Sequence, residues 1–210
     1  MTDRSVNKTP TMSPRTKKQL DEHKEIKREA ILHAALHLFA SKGIHATSVS
    51  NIAKRAGISK GLMYTYFTSK EDLVSALLEN ALNEILSVFD PDHDGVLTCQ
   101  ELQFFINGIF KNLRENQEHW KLYFMIMVQQ PALDQLSNGY IVNKAMQIFP
   151  IVEKYLENKG FSNPKSEMLA LHMLFDGIFF NFSFNPELVE LEKIEDYLIQ
   201  KYCMDDYQKV

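Results

Sequence analysis

The stretch ILHAALHLFASKGIHATSVSNIAKRAGISKGLMYTYFTSKEDL, residues 31–73, decides the fold. Ile31, Ala35, Leu38 and Phe39 recur at i, i+4, i+7 and i+8, one apolar stripe of a helix expected over Glu22–Ser41. Gly43 can then adopt the left-handed conformation that ends a helix. Thr47 reads as the N-cap of a short second helix with Val49, Ile52, Ala53 and Ala56 on one face. Ala56-Gly57-Ile58-Ser59 forms the next turn, with Gly57 free to take positive φ and Ser59 as N-cap of a third helix over Lys60–Phe67. Ser69, with Asp72 three residues on, has the form of a capping box for a fourth helix near Lys70–Phe89. Two short helices joined through a small-residue turn are a helix-turn-helix, and a helix of that width fits the major groove of duplex DNA.

Outward from this stretch nearly everything reads as helix, and no Val/Ile/Thr alternation marks a strand. Leu102, Phe105, Ile106, Ile109, Phe110 and Leu113 phase a fifth helix. A sixth is expected over His119–Gln130, and a seventh over Asn138–Lys159 with Pro150 inside. Asn163-Pro164 and Asn185-Pro186 each place a capping side chain before a proline at a helix start. The expected class is all-α, with about nine helices. The predicted organisation is a polar basic tail at 1–21, a three-helix head at 22–72 and a helical body at 73–210. The tail has too few apolar groups to offset the entropy of ordering.

The chain has 210 residues, 45% of them apolar, and a net charge of −4. That balance hides an asymmetry. Residues 1–70 carry 13 Lys and Arg against 5 Asp and Glu, and the remainder carries 10 against 22. A basic head on an acidic body suits a head that meets a polyanion. No apolar run approaches the ~20 residues of a bilayer span, and the first residues lack a signal-peptide pattern. The two cysteines show neither disulfide-framework nor zinc spacing, so a cytoplasmic chain is expected. No phosphate loop, nucleophile elbow or His/Cys cluster suggests an enzyme.

Residues 31–73 resemble the N-terminal DNA-binding domain of the TetR/AcrR family. The resemblance lies in the Ala-rich first helix ending in Leu38-Phe39 and Gly43, then Thr47, Ile52-Ala53, Ala56-Gly57-Ile58-Ser59, Gly61, Tyr64, Phe67 and Ser69-Lys70-Glu71. It implies a homodimeric transcriptional regulator, typically a repressor, on double-stranded DNA with a palindromic operator. Thr47 and Ser48 would present amides and hydroxyls to phosphate. Ser59, Lys60, Gly61 and Met63 would face the groove floor, with Gly61 permitting close approach. Tyr64 and Tyr66 would hydrogen-bond phosphates, and Lys70 would pair with backbone charge. Leu62 departs from the small or hydroxylated residue common there and favours an apolar contact such as a thymine methyl. Phe67, Ile52 and Leu38 are core.

The resemblance also implies a body that dimerises through its last two helices and binds a small effector. LALHMLFDGIFFNFSF, residues 169–184, is apolar nearly all round, as a helix buried on several sides must be. Phe105, Phe110, Trp120, Tyr123, Phe124, Met127, Phe149, His172, Met173 and Phe179 are the candidate lining of a pocket for an apolar or aromatic effector. Each of them equally fits an ordinary helical core.

A second motif stands apart. Asp90-Pro91-Asp92-His93-Asp94-Gly95-Val96-Leu97-Thr98-Cys99-Gln100-Glu101 has the spacing of an EF-hand loop, with acidic groups at positions 1, 3, 5 and 12 and glycine at 6. Asp90, Asp92, Asp94 and Glu101 would supply carboxylates, Val96 its carbonyl, and Thr98 a hydroxyl or a bridging water. No obligatory cofactor is expected; Ca²⁺ is the cation such a loop would take. The alternative function is then a Ca²⁺-sensing or Ca²⁺-stabilised binding protein. The same residues also make an ordinary polar turn into a well-capped helix.

Overall fold

A computed structural model describes residues 17–87, 89, 92, 94–136 and 139–204, with the side chains of 136 and 141 excepted. Ten α-helices and a 3₁₀ turn account for the regular structure, and no strand occurs among the described residues.

The first helix, α1, runs Lys17–Lys42, so it starts inside the stretch expected to be tail. Its first ten residues are exposed, and the core begins at Ile31. Gly43, at φ 87°, closes it with its N–H on the Phe39 carbonyl at 2.9 Å. Next comes α2, Val49–Arg55, whose N-cap is Ser48 and not Thr47; the Ser48 hydroxyl accepts from the Asn51 N–H at 3.2 Å. Gly57 at φ 68° ends α2 in a Schellman motif, with Ile58 N–H on Ala53 O and Gly57 N–H on Lys54 O.

The third helix, α3, is the single turn Lys60–Met63, capped by Ser59, and is shorter than its periodicity predicts. The cause is local. The Thr65 N–H and hydroxyl both take the Leu62 carbonyl, which tightens the chain out of α-helix. Then α4, Lys70–Leu86, starts at Ser69. The Asp72 carboxylate accepts from the Thr68 N–H at 2.8 Å, one residue further back than a capping box reaches.

The body comprises α5 (Cys99–Glu115), α6 (Gln117–Met127), α7 (Gln130–Leu136), α8 (Tyr140–Asn158), α9 (Pro164–Phe184) and α10 (Leu191–Cys203). The expected sixth helix ends at Met127, three residues early. Pro131 opens α7 instead of terminating its predecessor, because a proline in the first turn sacrifices no hydrogen bond. Asn163 caps α9 as expected, accepting from Ser166 N–H at 3.2 Å. Asn185 makes no such bond, and only a 3₁₀ turn, Pro186–Leu188, follows it.

In the packing, α6 lies between α1 and α9, α10 lies on α5, α8 on α9, and α4 on α7. One core cluster runs from Ile31 on α1 to Cys203 on α10. No helix among the described residues is long and apolar enough to cross a membrane.

Candidate nucleic-acid interface

The segment from Ser59 to Tyr64 stands outward from the head. Ser59, Lys60 and Gly61 are exposed, Leu62 is 40% exposed and Tyr64 47%. A Cβ placed on Gly61 would meet nothing within 4 Å. The glycine therefore answers no packing need inside the chain, and its bare backbone faces outward. Lys54 and Arg55, at the end of α2, are exposed on the same motif, as is Thr65.

Three expected contact residues are placed differently. Met63 is 1% exposed and belongs to the core, because a one-turn helix must turn some residue inward to anchor itself. Thr47 is also 1% exposed; its hydroxyl donates to Gly43 O at 2.8 Å and lies 3.2 Å from Leu38 O. It locks the end of α1 and offers nothing to phosphate. The Lys70 ammonium donates to the Ile44 and His45 carbonyls at 3.0 and 3.2 Å, stitching α4 to the turn before α2. Tyr66 is half-buried against the core, while Ser48 and Ser59 spend their hydroxyls on caps. Arg28 of α1 lies 5.6 Å from the Phe67 ring centroid, bracing the turn between α3 and α4.

One residue without any local signal ties head to body. Gln129, just beyond α6, accepts from the Ile44 N–H at 2.7 Å and donates to Phe39 O at 3.1 Å and Met125 O at 2.8 Å. No pattern near position 129 marks it, since its partners lie 85 and 90 residues away. Ile44 is buried, so Gln129→Ala leaves an unsatisfied N–H and is expected to cost about 1–3 kcal/mol. Chemical denaturation would measure that loss.

On the same side of α1, His33 and His37 bring their Nε2 atoms within 3.2 Å. Burial first, then the charges of His33, Arg55 and His119, hold His37 below the ordinary imidazole range. The unfolded chain therefore takes up this proton first, and stability contributed at neutral pH is lost as pH falls below ~6.5. Thermal melts between about pH 7.5 and 5.5 should show a larger drop for the wild type than for His37→Gln.

In the body, Phe105, Phe110, Trp120, Tyr123 and Phe179 are buried, whereas Phe124, Met127 and Phe149 are half-buried. Trp120 meets Phe179 edge-on at 5.1 Å and donates its indole N–H to Asn112 Oδ1 at 2.8 Å. These residues, with Gly108, Ile109 and Glu84, border a cavity of about 70 Å³. Burial and the Glu84 and Glu29 carboxylates push the nearby Tyr123 hydroxyl upward, so it stays a neutral donor. His172 and Met173 do not join this cavity. The His172 side chain is 43% exposed and pairs with Asp176 at 3.8 Å, and Met173 is 62% exposed on the outer face of α9. An all-round apolar helix gives no phase, so sequence alone could not separate its inner from its outer residues.

In the acidic loop, Asp90 lies outside the described residues. Asp94 Oδ1 accepts from Val96 N–H at 2.7 Å, Gly95 has φ 74°, and Val96 is exposed. Asp92 Oδ1 is 3.3 Å from Asp94 N. Glu101 is held in a capping box: its Oε2 accepts from the Thr98 N–H and hydroxyl at 2.8 and 2.7 Å. Among the described residues no three His, Cys, Asp or Glu side chains converge to hold a metal ion. The geometry is that of a polar turn into a capped helix, and it gives the Ca²⁺ reading no support.

An outward one-turn helix on a helix-turn-helix frame, latched to an all-helical body, defines a helix-turn-helix protein with a helical C-terminal domain. Residues 31–77 match the family described as bacterial regulatory proteins, tetR family. The uncharacterized HTH-type transcriptional regulator YfiR of Bacillus subtilis is 29% identical over 104 residues, 50% of this chain and 49% of that protein. The chain thus spans about half the length of that relative. BetI of Vibrio atlanticus, an HTH-type transcriptional regulator, is 25% identical over 187 residues, 83% of this chain and 90% of that one. Among solved structures, the fatty acid degradation regulator FadR of Bacillus halodurans superposes with a TM-score of 0.67 at 19% identity, over 88% of this chain and 97% of that one. At that identity the likeness is one of fold.

Proposed function

We propose that the chain is a transcriptional repressor that binds a palindromic operator as a homodimer and releases it when a small effector occupies the body. The observation that carries this reading is the outward Ser59–Tyr64 segment, with Lys54, Arg55 and Lys60 exposed around it. Residues 22–72 act as the reader and 73–210 as the regulatory body. Lys60 and Tyr64 meet phosphate and groove, Gly61 allows close approach, and Leu62 makes an apolar contact with a base edge.

The dimer reading rests on the outer face of α9 and α10. Met173, Leu174, Leu188 and Tyr197 are 62, 38, 76 and 44% exposed and border a groove of about 610 Å³. Contiguous exposed apolar surface of this kind marks an interaction site. A two-fold axis there sets two reader helices for successive turns of one duplex face. The effector enters beside Trp120 and Phe179. A 70 Å³ space is too small for a typical ligand, so binding requires α5, α6 and α9 to part, and Gln129 passes that movement from α6 to the end of α1. An effector works only if it binds the parted state more tightly.

Selection from a random duplex pool should enrich a palindrome. Lys60→Ala with Tyr64→Phe should weaken binding to it by roughly 10- to 100-fold and flatten the salt dependence by about one phosphate contact. An unchanged affinity in that double variant would remove the reading.

A further inference from the structure

We propose that Cys99 and Cys203 form an oxidation site at which a peroxide converts the thiol pair into an intramolecular disulfide, stapling the end of α10 to the start of α5. These are the only two cysteines in the chain, and the fold brings them together across 104 residues. Cys99 is the first residue of α5 and Cys203 the last of α10, and these two helices pack on each other. The Cys99 thiol donates to the Cys203 carbonyl.

The surroundings hold that geometry. The Tyr155 hydroxyl donates to Tyr202 O at 2.7 Å, and Lys159 lies 3.4 Å from Cys203 O. Lys201 and the Tyr202 hydroxyl both reach Glu167 at 2.6 Å. The end of α10 is therefore held by residues of α8 and α9 and by Lys159. Cys203 lies where α10 meets α5 and does not border the groove between α9 and α10.

The two thiols differ in access, which orders the chemistry. Cys99 is partly exposed, and Cys203 is 4% exposed. Burial, then the neighbouring Cys99, pushes the Cys203 thiol up to about 12. Cys99 is thus the group a small oxidant reaches first. Its thiolate attacks one peroxide oxygen; the S–O bond forms, the O–O bond breaks, and hydroxide leaves to be protonated as water. The Cys203 sulfur then attacks the Cys99 sulfur of the sulfenic acid. The S–S bond forms, the S–O bond breaks, and the hydroxyl leaves with the Cys203 proton as a second water. The thiols lose two electrons and the peroxide gains them.

This proposal does not depend on DNA binding, and its test reads only the thiols. Reduced full-length protein is treated with hydrogen peroxide at near-stoichiometric ratio and mapped by proteolysis and mass spectrometry without reductant. The expected product is a Cys99–Cys203 linked peptide from a single chain, reversed by dithiothreitol, with a melting temperature raised by several degrees. Cys99→Ser should leave Cys203 as a thiol under the same treatment, and Cys203→Ser should leave a dimedone-reactive sulfenic acid at Cys99. Disulfides between chains, Cys99 carried to sulfinic acid without linkage, or no loss of thiol would each overturn the assignment. Cys99→Ser alters a partly exposed position, so it keeps the test decisive if Cys203→Ser fails to fold.

Discussion

On the proposed homodimer, Met173→Glu together with Leu174→Glu is expected to give a monomer and to lower affinity for the selected palindrome by a factor of roughly 10²–10⁴. Both side chains border the groove between α9 and α10 and are 62 and 38% exposed in the isolated chain. A carboxylate there is solvated while the chain is alone, so folding is little affected. In a two-fold interface the two substitutions bring four carboxylates into apolar surroundings, each costing several kcal/mol to desolvate without a partner. DNA affinity follows because two reader heads on one duplex act at a high effective concentration, and separated heads do not. Sedimentation velocity beside a DNA titration would decide. A variant that stays dimeric while melting normally would place the interface elsewhere.

Phe110→Ala is the second large effect, and it acts on stability. Phe110 is completely buried on α5, and its ring meets Phe175 of α9 edge-on at 6.5 Å. Truncation removes that contact and leaves a cavity between two helices already fixed by other contacts, with an expected cost of about 3–5 kcal/mol. Total stability of such a domain is about 5–15 kcal/mol, so a fall of roughly 10 °C or more in Tm is expected. Phe110→Leu keeps most of the volume and should cost less than half as much. A loss under about 1 kcal/mol for the alanine variant would mean that α5 and α9 can close the gap, which would make this region softer than its packing implies.

Several features were legible in the chain because they are local. The stripe Ile31, Ala35, Leu38, Phe39 requires a helix with one buried face, and all four are buried. Gly43 and Gly57 take the positive φ their turns require, and Ser59, Ser69 and Asn163 cap as their positions predict. What failed were choices between neighbours. Thr47 and Ser48 are both good caps, and only the arrival of Leu38 and Gly43 carbonyls beside Thr47 draws its hydroxyl inward. Met63 lies among exposed residues, and its burial follows from the core beneath α3. Lys70 is expected to pair with the charge of the DNA backbone, and nothing local signals the Ile44 and His45 carbonyls that hold its ammonium, 26 and 25 residues away.

The body was less readable for a related reason. Periodicity says that α5 has one apolar face, but on α9 almost every residue is apolar, so the residues facing Trp120 and those facing outward look alike. The acidic loop shows the opposite ambiguity. Its spacing satisfies a cation motif, yet Glu101 is bound to Thr98 by a capping box that uses the same residues. Composition and spacing by themselves determined an all-helical chain, the glycine turns and the helix-turn-helix, since each depends on backbone preferences within a few residues. Only the tertiary structure decided which of those residues face outward, that Gln129 joins α6 to the end of α1, and that Cys99 meets Cys203. Those outcomes depend on packing between segments far apart in the chain, which no local preference encodes.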